Sequence, residues 1–379
     1  MSQSEYYFMN RDCPVLLFKI EETIGGYRAK ELERYEEKLP VGFEDINTWI
    51  DQRNYAKHKA HLVKWIHEWN IDNIKGFIEI THGLGLNDSL WVKKADSDLM
   101  WDNINLYDNN FDDVVSKTAF EKGLHGLQLS TTSPEFTSEG SFAKCWIREN
   151  DEIYLYKKGS EGFANAGLEP YSEFYSSELA EKICKSSVSY SLVQYKGSLC
   201  SRCSLFTSKE EGFVPIYRYL NASKSYQVQD ILEFCDKLGF EDEFRRMIVL
   251  DSVIFNVDRH TGNFGFIVDN ASYEIKRFAP VFDHNMSLLC RAMDSDFVNI
   301  DQYIKQCGHK MGGDFTEVAK KITTPEINSI LRELIDYEFP VNELYHLDQK
   351  RLEILNSCVT KEIRTIIHSG QKRILGIGR

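Results

Sequence analysis

The segment Asp251–Ile267, which reads DSVIFNVDRHTGNFGFI, constrains the fold of this chain more than any other stretch. Its apolar beginning predicts a helix that ends near Asn256, and its apolar end predicts a strand that begins at Phe264. The polar loop between them contains an aspartate, two basic side chains and an asparagine: Asp258, Arg259, His260 and Asn263. A further aspartate, Asp283, follows 20 residues after that asparagine. A helix, a polar loop, a strand and a second carboxylate therefore follow one another in a fixed order.

This order matches the few protein groups that phosphoryl transfer needs. One carboxylate orients the attacking hydroxyl and accepts its proton, and oxygen ligands hold Mg²⁺ on the phosphates. In protein kinases an asparagine five residues after the first aspartate and a separate downstream aspartate supply those ligands. By this spacing, Asp258 is the predicted catalytic base, and Asn263 and Asp283 are the predicted metal ligands. Arg259 or His260 is predicted to offset the charge that develops during transfer.

A loop that grips the ATP phosphates should precede the catalytic loop in the chain. The segment 137–144, TSEGSFAK, has one central glycine and several small hydroxyl residues. It is neither a Walker loop nor a G-x-G-x-x-G motif, and an ordinary β-hairpin turn is the alternative interpretation. The candidate phosphate-binding residues are Thr137, Ser138, Gly140 and Ser141.

A lysine on the following strand should pair with the α- and β-phosphates and with a glutamate of a nearby helix. Lys157 is the predicted lysine because it directly ends an apolar run, and Lys158 is the alternative. The helix from about residue 172 to residue 184 offers Glu173, with Glu178 as the alternative partner. Acidic residues are also common in the first turn of any helix, where the helix dipole favours them.

The chain has 379 residues, which is enough for two or three domains. Residues 1–120 are predicted to form an α+β unit, with strands at Pro14–Ile20, Gly76–Thr81 and Leu90–Val92 and a helix at Ile46–Trp69. Residues 121–222 are predicted to be mainly β with one helix, and residues 223–379 mostly helical. The predicted fold is therefore α+β: a two-lobed kinase-like fold, with a β-rich N-lobe and a helical C-lobe, plus an N-terminal unit.

Charge and hydropathy exclude several other classes of protein. The formal net charge of -13 disfavours direct binding to nucleic acid or to an anionic membrane. The sequence has neither an apolar N-terminal signal segment nor an 18-residue apolar run, and its nine cysteines are expected to be reduced. These features predict a cytoplasmic protein.

Two further sets of residues resemble metal or redox sites. Cys200 and Cys203 form a lone C-x-x-C without a second pair, so buried thiols are expected there instead of zinc. His58, His61 and His67 lie on or near a predicted helix, but no cysteine or carboxylate set completes a metal site. Surface or packing roles are expected for these histidines.

Four motifs make the sequence resemble the HipA-like serine/threonine kinases. They are FTSEGSFAK at Phe136–Lys144, LYKKG at Leu155–Gly159, NVDRHTGNFGF at Asn256–Phe266 and APVFDHN at Ala279–Asn285. The resemblance covers roughly residues 120–310, and its last two motifs are the more specific ones. Residues 1–120 do not look like the usual N-terminal part of the long toxin kinases.

The resemblance implies a fold related to protein and phosphoinositide kinases, with ATP and Mg²⁺ as ligands. It implies that Asp258 is the base, that Asn263 and Asp283 bind magnesium and that Lys157 binds ATP. Members of this family are toxins that phosphorylate Ser or Thr of translation proteins, and many are restrained by a small DNA-binding antitoxin. Some phosphorylate their own phosphate loop, and the corresponding position here is about Thr137.

Two alternatives stay open from the sequence. The order Asp-Arg-His-x-x-Asn also occurs in lipid kinases, and small-molecule kinases share the wider fold, although the charge of -13 disfavours a lipid substrate. A non-catalytic kinase-fold interaction protein is the second alternative. The presence of Lys157, Asp258, Asn263 and Asp283 together argues against it.

Overall fold

A computed structural model describes residues 4–24, 26–54, 73–110, 134, 143–162 and 165–375. The first sheet is antiparallel with the order β3-β2-β1-β4. Its strands are β1 (Glu5–Asn10), β2 (Cys13–Thr23), β3 (Gly26–Arg34) and β4 (Leu90–Lys94). The accompanying helices are α1 (Ile46–Arg53), α2 (Ile74–Thr81) and α3 (Trp101–Ile104). One face of the sheet packs on α1 and α2, and this core includes Phe8, Phe18, Trp49 and Phe77.

The strands expected at Pro14–Ile20 and Leu90–Val92 lie within β2 and β4, but the strand expected at Gly76–Thr81 was wrong. The predicted strand Gly76–Thr81 is part of helix α2, because the Asn73 side chain accepts a hydrogen bond from the Gly76 amide and caps a helix. A short apolar run does not distinguish a strand from a buried helix by itself. Of the predicted helix Ile46–Trp69, helix α1 covers Ile46–Arg53, Asn54 leaves helical geometry, and residues 55–69 lie outside the described residues.

The second sheet and one long helix form the β-rich lobe. The sheet is antiparallel in the order β5-β6-β8-β7, from β5 (Lys144–Glu149), β6 (Glu152–Lys158), β7 (Ser191–Tyr195) and β8 (Ser198–Ser204). Helix α4 (Glu169–Ile183) packs against this sheet and begins one turn earlier than the sequence indicated. Glu173 therefore lies in the second turn of α4, so the helix dipole is not the reason for its position.

A third sheet connects this lobe to the predicted catalytic loop, residues 258–263. Strand β10 (Gly265–Asp269) pairs with β9 (Glu211–Pro215) on one side and with β11 (Ile275–Phe278) on the other. Strand β9 follows shortly after β8, whereas β10 follows directly after the catalytic loop. The segment 205–210, here called the hinge segment, therefore joins the β-rich lobe to the sheet that carries the loop.

Six helices complete the described helical half, and α4 packs against them: α5 (Val228–Lys237), α6 (Glu241–Val253), α7 (Ile300–Gln306), α8 (Phe315–Ile322), α9 (Pro325–Glu333) and α10 (Gln349–Leu375). Helix α9 begins at Pro325, where the Thr324 side chain caps it by accepting a hydrogen bond from the Ile327 amide at 3.2 Å. Helix α6 is buried along much of its length and contacts α4, α5, α8 and α10. It is a rigid support for the catalytic loop that follows it.

The N-terminal unit contacts the hinge segment directly. The Phe213 amide donates a hydrogen bond to the Asn87 carbonyl at 2.7 Å, and the Thr207 hydroxyl donates one to the Leu86 carbonyl. Gly212 permits this close approach, because a Cβ atom there would lie 2.6 Å from the Asn87 carbonyl oxygen. Arg11 adds a hydrogen bond at 2.6 Å to the Lys209 carbonyl. The unit therefore supports the hinge segment from outside.

Within the described residues, no helix combines the length and the apolar character needed to cross a membrane.

Candidate active site

The catalytic loop is fixed to helix α6 by a buried ion pair. Asp251, near the end of α6, accepts two hydrogen bonds from Arg259, at 2.9 and 3.0 Å. Its carboxylate also accepts one from the Asn256 side chain at 2.9 Å, and the Asn256 amide donates to the Asp251 carbonyl. Both charged side chains are fully buried. The path of the loop is thus set by contacts beneath it.

Arg259 is fully buried and does not line the cavity that Asp258 and His260 share, so its position does not suit the predicted role of offsetting charge during transfer. Its remaining donors contact the Asn263 carbonyl at 3.1 Å, the Phe282 carbonyl and the His284 ring at 3.2 Å. Burial alone would lower the pKa of Arg259, but the Asp251 carboxylate raises it above its ordinary value. Arg259 therefore joins the catalytic loop to the segment that carries Asp283.

Asp258 lies at the surface of the cleft with a partly exposed carboxylate. Its own amide donates to the Asn256 side chain at 3.1 Å, and its carbonyl accepts from the His260 amide at 2.8 Å. Its carboxylate lies 3.3 Å from the ammonium group of Lys310. An accessible carboxylate on a constrained backbone can approach and deprotonate a substrate hydroxyl.

The side chain of His260 also faces the cleft. Its Nδ1 atom accepts a hydrogen bond from the Gly262 amide at 3.1 Å, and this contact assigns the single N–H proton of a neutral ring to Nε2. The ring can therefore present an N–H donor toward a bound ligand. Of the two basic residues of the loop, His260 is the one placed to do so.

Asn263 and Asp283 supply oxygen atoms at the same cavity. The Asn263 amide nitrogen donates to the Asp258 carbonyl at 3.3 Å, which leaves its side-chain oxygen as the acceptor. Asp283 has a left-handed backbone, φ 61°, which aspartate tolerates better than most residues. Amide and carboxylate oxygens are the hard donors that Mg²⁺ prefers, so this pair fits such an ion.

Lys157 connects the two lobes. Its ammonium group lies 2.6 Å from Glu173 Oε1 and 2.7 Å from Asp283 Oδ1. Ser201 donates to the other oxygen of Glu173 at 2.6 Å. Lys158 instead pairs with Glu161, and Glu178 is not a partner of Lys157 among the ion pairs of the described residues.

The charges of this cluster depend on one another. Burial alone would lower the pKa of Lys157, but Asp283 and Glu173 raise it well above its ordinary value. Burial would raise the pKa of Asp283, and the Lys157 ammonium outweighs this effect and holds it well below its usual range. Complete burial raises the pKa of Glu173 even though Lys157 and Ser201 both donate to it. A permanent ammonium thus stands beside the predicted metal ligand.

One cavity of about 230 Å³ lies between the lobes, and Lys157, Asp258 and Asp283 all line it. Its apolar part includes three aromatic rings in mutual contact, Phe206, Phe213 and Phe282, with centroids 5.2 to 5.8 Å apart. The rest of the lining includes Asn87, Lys144, Tyr190, Cys203, Leu205, Thr207, His260, Gly262 and Asn263. The cavity has an apolar recess at the hinge segment and a polar, charged region. This combination suits a nucleotide, in which a nucleobase is joined to a phosphate chain.

Several predicted residues lie outside the described part of the chain. They are the phosphate-loop candidates Thr137, Ser138, Gly140 and Ser141 and the histidines His58, His61 and His67. Cys200 and Cys203 are buried free thiols, as expected, and they belong to different apolar clusters. Burial raises the pKa of each thiol to about 12.

Sequence reasoning missed four residues that support the site. Ser201 holds Glu173, and the Tyr190 hydroxyl accepts a hydrogen bond from the Asp283 amide at 3.2 Å. Asp251 anchors the loop, and Lys310 reaches Asp258 from a distant segment. Only Asp251 carried a sequence signal, as a charged residue directly after the apolar run Met247–Leu250, because the other three contacts depend on the tertiary fold.

Comparison with known proteins yielded structural likeness alone. No protein-family model matches the chain, and no curated protein matches it. HipA of Shewanella oneidensis MR-1, solved with HipB and its operator DNA, aligns at a TM-score of 0.52 and 10% identity over 95% of this chain and 96% of that one. The Helicobacter pylori proinflammatory kinase CtkA aligns at a TM-score of 0.44 and 20% identity over 62% of this chain and 95% of that one. The described chain has a HipA-like kinase fold, with mixed helices and sheets as the sequence predicted.

Proposed function

We propose that this protein is an ATP- and Mg²⁺-dependent serine/threonine protein kinase of the HipA-like type. The observation that carries the proposal is the Lys157 ammonium between Glu173 and Asp283, in the cavity that Asp258 and Asn263 also line. Such a lysine–glutamate pair and such a metal-site aspartate must both be in place for phosphoryl transfer in protein kinases. The HipA-like fold supports the same class of chemistry by analogy.

In this proposal the adenine base lies against the hinge segment and the three aromatic rings. Within the described residues, the amides of Phe206 and Thr207 make no hydrogen bond, so they remain donors for a base. Lys157 binds the α- and β-phosphates, and Glu173 keeps its ammonium group in position. The phosphate loop is proposed to be residues 137–144, with Thr137, Ser138, Gly140 and Ser141 as its contacts.

At the other end of the cavity, Asp258 orients the acceptor hydroxyl and takes up its proton. Asn263 and Asp283 hold the metal, and bound Mg²⁺ offsets charge on the phosphate oxygens. His260 donates from its ring toward the transferred group. Arg259 contributes by holding the loop and the Asp283 segment in register.

The substrate of this kinase is proposed to be a protein with a Ser or Thr acceptor. The kinase itself is proposed to be restrained by a small antitoxin-like regulatory protein. The HipA structure that this chain resembles contains HipB and operator DNA, which supports a regulator of that kind. Direct binding of nucleic acid by this acidic chain is not part of the proposal, since its net charge is -13. Self-phosphorylation within residues 137–141 is proposed as its regulation.

The test is incubation of the purified protein with γ-labelled ATP and Mg²⁺, beside Asp258→Asn. We expect label on the wild-type protein, mapped by mass spectrometry to Thr137, Ser138 or Ser141, and a rate lower by about 10²–10⁴ in the variant, the usual contribution of a general base. ATP hydrolysis that depends on Asp258 but leaves no protein label would favour a small-molecule kinase. If the wild-type protein showed no label and no ATP hydrolysis, that result would contradict the proposal.

A further inference from the structure

Lys310 reaches the predicted catalytic base from a segment far along the chain. Its ammonium nitrogen lies 3.3 Å from Asp258 Oδ1, with 57% of the lysine side chain and 39% of the aspartate side chain exposed. An exposed pair of this kind adds little to folding stability. The contact therefore places an accessible positive charge beside Asp258 without being needed to hold the fold.

The turn that carries Lys310 is firmly built. The His309 ring is buried 2.9 Å from the Ser252 hydroxyl of helix α6 and packs edge-on against Phe315 at 4.8 Å. The His309 amide donates to the Gly313 carbonyl at 3.0 Å, which closes the turn. Gly312 and Gly313 have φ angles of 93° and 99°, which favour glycine. Buried contacts thus hold the turn, while the Lys310 side chain itself is more than half exposed.

The other cations of the described site have different positions. Lys157 is held between Glu173 and Asp283, and Arg259 is fully buried beneath the loop. Lys144 lies opposite Lys157 on the neighbouring strand. The second position after Asp258 is occupied by His260. Among the ion pairs of the described residues, Lys310 is the cation that contacts Asp258.

We propose that Lys310 is a catalytic residue that exchanges partners when ATP binds. Its ammonium group pairs with Asp258 in this structure, and in the ATP complex it contacts oxygens of the terminal phosphoryl group. The acceptor oxygen then forms a bond to the γ-phosphorus as the bond to the ADP oxygen breaks, and the acceptor proton passes to Asp258. The positive charge of Lys310 then offsets charge on the transferred group. This inference rests on the proposed kinase function.

The experiment compares Lys310→Met and Lys310→Arg with wild-type protein, using γ-labelled ATP and Mg²⁺. We expect Lys310→Met to lower kcat by about 10- to 100-fold while KM for ATP changes by less than about threefold, because the charge acts mainly on the transition state. Lys310→Arg keeps the charge and should recover most of kcat. Melting temperatures of all variants should equal that of the wild type.

The matched control is Lys305→Met, an exposed lysine on the neighbouring helix α7, which should behave as wild type. Unchanged kcat in Lys310→Met would overturn the inference, as would an equal loss in Lys310→Arg or in the control. Absence of phosphoryl transfer in the wild type would instead refute the proposed function, and this inference with it.

Discussion

Replacing Arg259 by methionine is expected to lower the free energy of unfolding by about 3–5 kcal/mol, the usual cost of removing one partner of a buried ion pair. Asp251 would remain at zero exposure without its bidentate cation. The Asn263 and Phe282 carbonyls would also lose a donor. Chemical denaturation monitored by circular dichroism measures the change.

The control is Arg364→Met, which removes an exposed contact to Asp336 at 3.7 Å and should cost less than about 1 kcal/mol. A double variant, Asp251→Leu with Arg259→Met, should be more stable than the sum of the single variants predicts, because it leaves no unpaired buried charge. If Arg259→Met were as stable as the control, the buried pair would not be what holds the catalytic loop.

Lys157→Met is expected to reduce phosphoryl transfer by about 10³-fold or more, since it removes both a phosphate ligand and the cation between two carboxylates. Steady-state kinetics with labelled ATP measures the loss. The matched control is Lys158→Met, the adjacent lysine on β6, whose partner is Glu161. Equal losses in the two variants would contradict the assignment of Lys157.

The stability of Lys157→Met should also depend on pH. Burial already raises the pKa of Glu173, and without the ammonium group nothing nearby opposes that effect as strongly. When a carboxyl group has a raised pKa in the folded state, the protein loses stability as the pH rises above the pKa of that group in the unfolded state, about 4.3. The difference in unfolding free energy between variant and wild type should therefore be larger at pH 8 than at pH 5. A constant difference would show that Glu173 does not titrate there.

The sequence predicted the parts of the molecule where local pattern and spacing determine structure. The strands around Lys157, the helix before Asp258 and the strand after Asn263 follow from apolar runs and their boundaries. The Asp258–Asn263–Asp283 spacing was readable because the chemistry constrains it. The fold class followed from the order of these elements, and the HipA-like structure agrees with it.

Contacts between distant segments could not be predicted in the same way. Nothing in the pattern around Lys310 or Ser201 indicates that they reach Asp258 and Glu173. The exposed appearance of Arg259 in a polar loop was misleading, since its partner Asp251 belongs to the preceding helix. Gly76–Thr81 failed for a local reason, because its apolar run fits both secondary structures and the Asn73 cap decides between them.

The most direct test of the central claim is calorimetric titration with a non-hydrolysable ATP analogue, with and without Mg²⁺. We expect the wild-type protein to bind the analogue and Mg²⁺ to strengthen that binding. Asp283→Asn should abolish the strengthening by Mg²⁺, whereas Asp258→Asn should retain it, because Asp258 is assigned to the acceptor hydroxyl. Failure of the wild type to bind the analogue, or an Mg²⁺ effect that Asp283→Asn leaves intact, would contradict a phosphoryl-transfer centre at these residues.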